Sequence, residues 1–140
     1  MNDRIEYRTG DVPDVDVLAD LYGSVDWPHA LTPVELHQAV QQSSWVATAW
    51  HDGRLVGLAR VLTDGVFDVY LQDLIVHVDY QHQGVGKELL DLYDRAFGDF
   101  QTQVIVSNAD WAQQKLGKRG FRAEPAALSR TRSPSARTST

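Results

Sequence analysis

The chain has 140 residues and a mass of 15.7 kDa, with 43% hydrophobic and 23% charged residues, so it can bury one core and is too short for several domains. Without cysteine, it has neither disulfides nor thiol chemistry. Residues 1–121 carry 9 Lys and Arg against 18 Asp and Glu, and this acidic body repels nucleic acid, so any anion it binds must be held by local geometry.

Targeting and metal signals are absent from the sequence. Residues 1–4 lack the apolar run of a signal peptide, and no other apolar run is long enough to cross a bilayer. The five histidines show no metal-ligand spacing. These features predict a cytoplasmic protein with no membrane partner, no nucleic acid partner and no metal.

The first half of the chain predicts a strand, two helices and a hairpin. Residues 4–8 alternate between apolar and charged types, which indicates a strand, and apolar residues then recur at helical spacing from 15 to 22. The sequence Thr32, Pro33 and Glu35 is typical of a capping box at the start of a second helix. Asp52 and Gly53 separate two β-branched runs, which predicts a tight β-hairpin.

The second half predicts a third strand over 67–78, then helix, strand, helix and a last strand after Gly120 and Phe121. The first of these helices ends at Gly98 and has a predicted inner face of Val85, Leu89, Leu92 and Ala96. The element order predicts a single α/β (α+β) domain over residues 1–125, with a mixed, mostly antiparallel central sheet flanked by helices. Residues 126–140 are rich in Ser, Thr and Arg, which predicts a disordered tail.

The stretch from Gln81 to Lys87 lies between a predicted strand and a predicted amphipathic helix, and it contains Gly84 and Gly86. Backbone N–H groups converge at a helix N-terminus, and glycines let an anion approach closely. The stretch is not a Walker A loop, because Glu88 follows the lysine, and it lacks the third glycine of a dinucleotide fingerprint. Ordinary turn glycines before a helix are the alternative interpretation.

The spacing Gln81-x-x-Gly84-x-Gly86 after an apolar strand resembles the Q/R-x-x-G-x-G/A pyrophosphate loop of the GNAT superfamily of N-acetyltransferases. The element order is similar to that family over residues 4–121, and Gly120-Phe121 resembles its Gly-Phe pair. More narrowly, the sequence is similar to small bacterial members and to plant serotonin-type arylalkylamine acetyltransferases. The resemblance implies a GNAT-like fold, acetyl-CoA as co-substrate and a homodimer.

Carried over by position, the resemblance assigns most of the cofactor site to one loop. Main-chain N–H groups near the start of the helix bind the coenzyme A pyrophosphate, main-chain groups of the preceding strand pair with pantetheine, and Asn108 faces the cofactor. The implied cofactor-binding residues are Ile75, Val76, His77, Gln81, His82, Gln83, Gly84, Val85, Gly86, Lys87 and Asn108.

Strand alternation gives the candidate catalytic residues. It places Asp68, Tyr70 and Gln72 on one face and Asp73 with Phe67, Val69, Leu71 and Ile75 on the other, unless a bulge changes the phase. Asp73 lies among apolar residues, where a carboxylate becomes a stronger base, and the alternative is a structural carboxylate paired with an arginine such as Arg60. Tyr70 occupies a position where relatives place an acid or histidine, and core packing is its alternative role.

The resemblance also indicates the acceptor side. Trp27 and His29 fall in the loop that lines the acceptor pocket in the family, and with Gln72 they are the candidate substrate-binding residues. Leu116 stands where relatives carry a tyrosine that protonates the thiolate. The predicted function is acetyl transfer to the primary amine of a small molecule, and the alternatives are a catalytically degenerate acyl-CoA-binding module and a protein N-acetyltransferase.

Overall fold

The computed structural model describes residues 4–25, 31–106, 110–123 and 128–130, and the chain divides into two compact units, 1–105 and 106–140. The first unit holds a five-stranded sheet in the order β1-β2-β3-β4-β5, antiparallel except for the parallel β4–β5 pair. Its elements are β1 (Glu6–Thr9), α1 (Val15–Ser24), α2 (Pro33–Gln41), β2 (Trp45–His51), β3 (Arg54–Thr63), β4 (Asp68–Val76), a 3-10 turn (Val78–Tyr80), α3 (Val85–Phe97) and β5 (Thr102–Ile105).

Local sequence accounts for the early elements. The predicted capping box is present, since the Thr32 side chain accepts from the Glu35 N–H and the Glu35 carboxylate accepts from the Thr32 N–H. The β2–β3 hairpin turns at Asp52 and Gly53, whose φ angles of 48° and 81° are those of a primed turn. Both predictions are confirmed.

The sheet is covered on both faces. Helices α1 and α2 pack on one face, with Leu18, Leu21 and Leu36 meeting Leu58 of β3 and Ile75 of β4. Helix α3 packs on the other face, where a Cβ on Gly57 would lie 2.8 Å from Val85 Cγ1 and 3.0 Å from Leu89 Cδ1. The missing side chain of Gly57 therefore lets the start of α3 lie close against β3.

The buried face of α3 differs from the predicted one. Val85 and Leu89 are buried as expected, but the face continues through Leu90, Tyr93 and Phe97, whereas Leu92 is half-buried and Ala96 is exposed. The aromatic rings at i+4 spacing bury more apolar surface than the predicted Leu92 and Ala96, so they set the rotation of the helix. Burial also raises the pKa of the Tyr93 phenol to about 12.

The second unit contains α4 (Asp110–Gly117), whose C-terminal turn is closed by the N–H groups of Arg119 and Phe121 donating to the Leu116 carbonyl. Among its described residues no strand follows α4, so the predicted last strand is absent there. The predicted tail falls mostly outside the described residues. Across the described ranges, no helix combines the length and apolar character needed to cross a membrane.

Candidate functional site

The loop before α3 leaves the first turn of this helix without a side-chain cap. Its N-cap is Gly84, whose φ of 87° lies in the left-handed region and which has no side chain to cap the helix. His82 also adopts a left-handed φ of 64°. Left-handed residues alternating with other conformations turn successive N–H groups toward one point, which is the geometry of an anion nest.

The amides of this turn point out of the helix. A hydrogen bond runs from the Glu88 N–H to the Gly84 carbonyl at 3.1 Å, and the amides of Val85 and Gly86 precede the residues that a helix can pair internally. Among the described residues, no side-chain oxygen accepts a hydrogen bond from the N–H groups of Gln83 to Gly86. Together with the helix dipole, these amides are a candidate site for an anion.

Gly86 has a different role from Gly84. Its φ is not positive, and a Cβ built there would lie 3.6 Å from Val76 Cγ2, an ordinary van der Waals distance. Neither backbone conformation nor packing therefore requires glycine at position 86. A glycine in a helix costs about 1 kcal/mol relative to alanine, so its presence indicates a requirement other than folding, such as access for a ligand.

The edge of β4 beside this loop is open. The parallel ladder between β4 and β5 ends at the pair Leu71–Ile105, and among the described residues β4 continues to Val76 paired with β3 alone. Residues 73–76 therefore present one edge that β5 does not cover. An unpaired strand edge can bind an extended ligand through its main-chain groups.

The hydrogen-bond pattern between β3 and β4 determines which main-chain groups of β4 face that edge. The His77 N–H donates to the Val56 carbonyl at 2.8 Å, and its carbonyl accepts from the Tyr80 N–H. Because main-chain groups alternate along a strand, Ile75 also turns toward β3, and Leu74 and Val76 turn toward the open edge. The main-chain groups of Ile75 and His77, which the resemblance assigns to pantetheine, thus turn away from this edge, which corrects that expectation. Those of Leu74 and Val76 face the edge, and the Val76 carbonyl there accepts from Gln81 Nε2.

A bulge in β4 changes the phase of its side chains. Val61 of β3 faces Leu71, yet the preceding Arg60 faces Asp73, so Gln72 is an extra residue in β4. Adjacent residues of β3 lie on opposite faces, and cross-strand partners share a face. Leu71 therefore lies on the α3 face and Asp73 on the α1–α2 face, which corrects the alternation that grouped them together.

The same bulge brings Tyr70 and Asp73 to one face. Tyr70 pairs with Leu62, which lies two residues from Arg60 and so shares its face. Tyr70 is 44% exposed and Leu62 is 39% exposed, so the predicted core role of Tyr70 does not hold. Gln72 is also exposed at the bulge itself.

Asp73 is buried and its carboxylate is occupied by two donors. The Tyr22 hydroxyl of α1 and Arg60 Nε both donate to Asp73 Oδ2 at 2.8 Å, and Arg60 Nη1 reaches Ser43 Oγ at 3.4 Å. The predicted pair with Arg60 is therefore present. Burial raises the pKa of Tyr22 well above its ordinary value and the charge of Asp73 raises it further, so this phenol remains a donor.

The polar side chains of the loop hold its shape. Gln81 Nε2 donates to the Val76 carbonyl at 3.1 Å, and Gln83 Nε2 donates to the Asp79 carbonyl at 3.3 Å. Lys87 Nζ bridges Asp91 one turn along α3 at 2.9 Å. Gln81 thus ties the loop to the end of β4, and Gln83 ties it to the 3-10 turn.

Three predicted site residues, Trp27, His29 and Asn108, lie outside the described residues. Leu116 is buried in the second unit. Sequence reasoning missed Tyr22, whose place in the apolar stripe of α1 concealed its polar role, although a buried tyrosine usually needs a hydrogen-bond partner.

Comparison with known proteins gives one consistent result. A protein family described as an acetyltransferase (GNAT) domain matches residues 19–131. The histone acetyltransferase TAP1 of Glycine max is 27% identical over 136 residues, covering 88% of this chain and 58% of the relative. The uncharacterized N-acetyltransferase ycf52-like protein of Prochlorococcus marinus is 31% identical over 116 residues, covering 78% of this chain and 63% of the relative.

The chain therefore spans less than two thirds of the length of either relative. Among solved structures, a GNAT family acetyltransferase from Streptococcus pneumoniae superposes with a TM-score of 0.73 and 25% identity, covering 91% of this chain and all of that one.

Proposed function

The chain belongs to the GNAT family of acetyltransferases, and we propose that it transfers the acetyl group of acetyl-CoA to the primary amine of a small molecule by direct attack in a ternary complex. The observation that carries this proposal is the uncapped start of α3 beside the open edge of β4. A diphosphate fits the first feature and an extended amide-containing chain fits the second, and coenzyme A contains both in that order.

In this proposal the amides from Gln83 to Gly86 bind the pyrophosphate. Fixed donors a few ångströms away outweigh the acidic body, whose field is screened beyond about 8 to 10 Å. The pantetheine amides then pair with the main-chain groups of Leu74 and with the Val76 N–H along the open edge, since the Val76 carbonyl accepts from Gln81. This direction carries the thioester toward the bulge at Gln72.

At the bulge, the amine nitrogen attacks the thioester carbonyl carbon. The C–S bond then breaks, coenzyme A leaves as the thiolate, and the amine loses one proton to solvent or to a base. The chain has no cysteine, so an acyl-cysteine intermediate is excluded. The Leu74 N–H faces the open edge next to the bulge and is the donor we assign to the developing oxyanion.

The amine must be neutral to attack. An amine that titrates like lysine costs roughly 4.6 kcal/mol to deprotonate at pH 7, so a base or an ordered water is needed. Tyr70 is exposed on the face that also carries Asp73, and we assign it the role of ordering this water. Asp73 already accepts from Tyr22 and Arg60, which favours a structural role for its carboxylate.

A second candidate function is acetylation of a protein amine, since the plant relative TAP1 is named a histone acetyltransferase. A third is a degenerate acyl-CoA-binding module, because Leu116 cannot donate the proton that relatives supply to the thiolate. A thiol with a pKa near 8.5 still leaves acceptably at neutral pH, so this loss slows the step without preventing it.

One assay separates the three candidates. Calorimetry with coenzyme A tests binding, and acetyl-CoA is then supplied with tryptamine, spermidine or a histone H3 amino-terminal peptide. Because the protein has no cysteine, a thiol reagent reports only released coenzyme A, and mass spectrometry identifies the acetylated product. Acetylation of a small amine supports the proposal, and acetylation of the peptide alone supports the second candidate.

Binding without thiol release on any acceptor supports the degenerate module. A titration with coenzyme A that yields no binding overturns the assignment of the loop.

A further inference from the structure

The buried imidazole of His77 lies between two N–H donors at the end of β4. The side chain is 3% exposed, its Nδ1 lies 3.1 Å from the Asp79 N–H nitrogen, and its Nε2 lies 2.8 Å from Arg54 Nη2. A neutral imidazole accepts a hydrogen bond at one nitrogen, whereas an imidazolium accepts at neither. Because Nδ1 accepts from the Asp79 N–H, Nε2 of the neutral ring carries the proton and cannot also accept from Arg54. Neutral His77 therefore satisfies the Asp79 N–H, whereas an imidazolium satisfies neither donor.

Every charged group near the imidazole also contacts Arg54. Asp20 Oδ2 of α1 lies 3.9 Å from His77 Nε2 and 3.4 Å from Arg54 Nε. Asp79 Oδ2 lies 3.9 Å from His77 Nδ1 and 4.0 Å from Arg54 Nη1. Among the described residues, a further titratable neighbour is Tyr80, whose ring lies edge-on at 5.9 Å and whose hydroxyl bonds to His51.

Protonation of His77 would therefore change its partners. An imidazolium donates at both nitrogens, so it would turn to the carboxylates of Asp20 and Asp79, which Arg54 also contacts. The guanidinium would then face a like charge at a contact distance of 2.8 Å. The two cations would compete for the same two carboxylates, and the hydrogen bond from the Asp79 N–H would be lost.

This imidazole is joined to the loop before α3 by a short chain of hydrogen bonds. The His77 ring caps the 3-10 turn by accepting from the Asp79 N–H, and the Asp79 carbonyl accepts from Gln83 Nε2. The Val78 N–H anchors the same turn to Ser24 of α1. The His77 side chain thus sets the direction in which the chain enters the loop.

We propose that neutral His77, whose Nδ1 accepts from the Asp79 N–H, is a positioning residue for the coenzyme A loop, and that protonation of this imidazole releases the loop and weakens coenzyme binding. The inference rests on the proposed function, because it concerns the affinity of the same loop for coenzyme A. It assigns a role to the His77 side chain, whose main-chain groups already pair with β3 and the 3-10 turn.

The test is calorimetric affinity for coenzyme A from pH 8 to pH 5.5, the interval in which imidazoles titrate. The proteins are wild type, His77→Asn and His77→Phe. Asparagine keeps an acceptor for the Asp79 N–H and cannot take up a proton, so its affinity should not fall with protonation as that of wild type does. Over the same interval, wild type loses about tenfold more affinity than His77→Asn, the size of one charge-assisted hydrogen bond.

His77→Phe removes the acceptor for the Asp79 N–H and binds at pH 8 about tenfold more weakly than wild type. His37→Asn is the matched control, because it removes a histidine from α2 and should keep the wild-type pH profile. Circular dichroism at each pH establishes that the proteins are folded, and His77→Asn decides the test if His77→Phe does not fold.

Identical pH profiles for wild type and His77→Asn overturn this inference and leave the proposed function standing. Failure of the wild type to bind coenzyme A at pH 8 overturns the proposed function itself.

Discussion

Helices α2 and α3 begin in opposite ways. At the start of α2, side-chain oxygens of the chain itself accept from the main-chain N–H groups, since the side chains of Thr32 and Glu35 each accept from the other's N–H. At α3 the N-cap is Gly84, which has no oxygen to supply. Both helices have the same unsatisfied amides by geometry, so the difference shows where the protein closes a helix start for stability and where it keeps one available.

A third set of converging amides follows the pattern of α2. The Asp64 carboxylate accepts from the N–H groups of Val66, Phe67 and Asp68 at 2.8, 2.7 and 3.2 Å. The Asp73 carboxylate likewise has its partners within the protein, because the Tyr22 hydroxyl and Arg60 Nε donate to it. Among these four places, the start of α3 alone lacks a partner from the protein's own described side chains, and it is the one we assign to the coenzyme.

The largest expected effect comes from closing the start of α3 with a charge. In Gly86→Glu the carboxylate lies against the pyrophosphate site, so coenzyme A affinity should fall more than about 100-fold. The melting temperature should change little, because glutamate is the better helix former. Calorimetry and thermal denaturation measure the two quantities.

Gly86→Ala is the control for this substitution. Its Cβ makes an ordinary contact with Val76, so the variant should still bind coenzyme A and be at least as stable as wild type. Wild-type affinity in Gly86→Glu would contradict the assignment of the loop.

Removing the hydrogen-bonded carboxylate of Asp73 should lower the stability of the fold rather than abolish a catalytic step. Asp73→Asn removes the ion pair with the largely buried Arg60, and losing one partner of such a pair costs about 3 kcal/mol. Urea denaturation measures this loss, with Tyr22→Phe as a control that removes the other donor and keeps the ion pair. Unchanged stability together with a lost pH dependence of kcat would instead identify Asp73 as the catalytic base.

Removing the cap of α2 should cost stability alone. Thr32→Ala deletes the acceptor for the Glu35 N–H, a change worth about 1 kcal/mol. The same urea titration measures it, and coenzyme A affinity should match wild type because this cap belongs to a different helix start. A large loss of affinity would mean that the two helix starts are not independent.

The smallest effect concerns Asp64. Hydrogen bonds from the backbone, that of Phe67 foremost, lower the pKa of this carboxyl from its ordinary value of 3.8. A lowered pKa stabilises the fold above the unfolded-state pKa, and this contribution is lost as the pH falls through the folded-state value. Thermal denaturation should therefore show Asp64→Asn less stable than wild type at pH 7 and progressively closer to it below about pH 4.

Asp14→Asn is the comparison for Asp64, because Asp14 is the N-cap of α1 and its side chain makes no cap hydrogen bond. It should be as stable as wild type at pH 7. A gap between Asp64→Asn and wild type that persists unchanged at low pH would contradict the assigned cause.

The parts of the fold that were predicted correctly depend on neighbouring residues. The capping box at Thr32, the turn at Asp52 and Gly53, and the glycine loop before α3 each depend on contacts within a few positions, so their residue types indicate their structure. The rotation of α3 was wrong because it depends on which side chains fit the sheet. The open edge of β4 needed knowledge of where β5 stops pairing.

The sequence by itself determined the helices and strands from β1 to α4, their order along the chain and the uncapped helix start, because caps, turns and periodicity are local properties. It was wrong about a strand after Phe121, which is absent among the described residues. The tertiary structure alone decided the faces of Leu71 and Asp73, since both faces of the sheet are covered and burial alternates across the bulge without any signal of the phase change. It also decided that Tyr22, Arg60 and Asp73 meet, because long-range packing of α1 on the sheet brings residues 51 positions apart into one hydrogen bond.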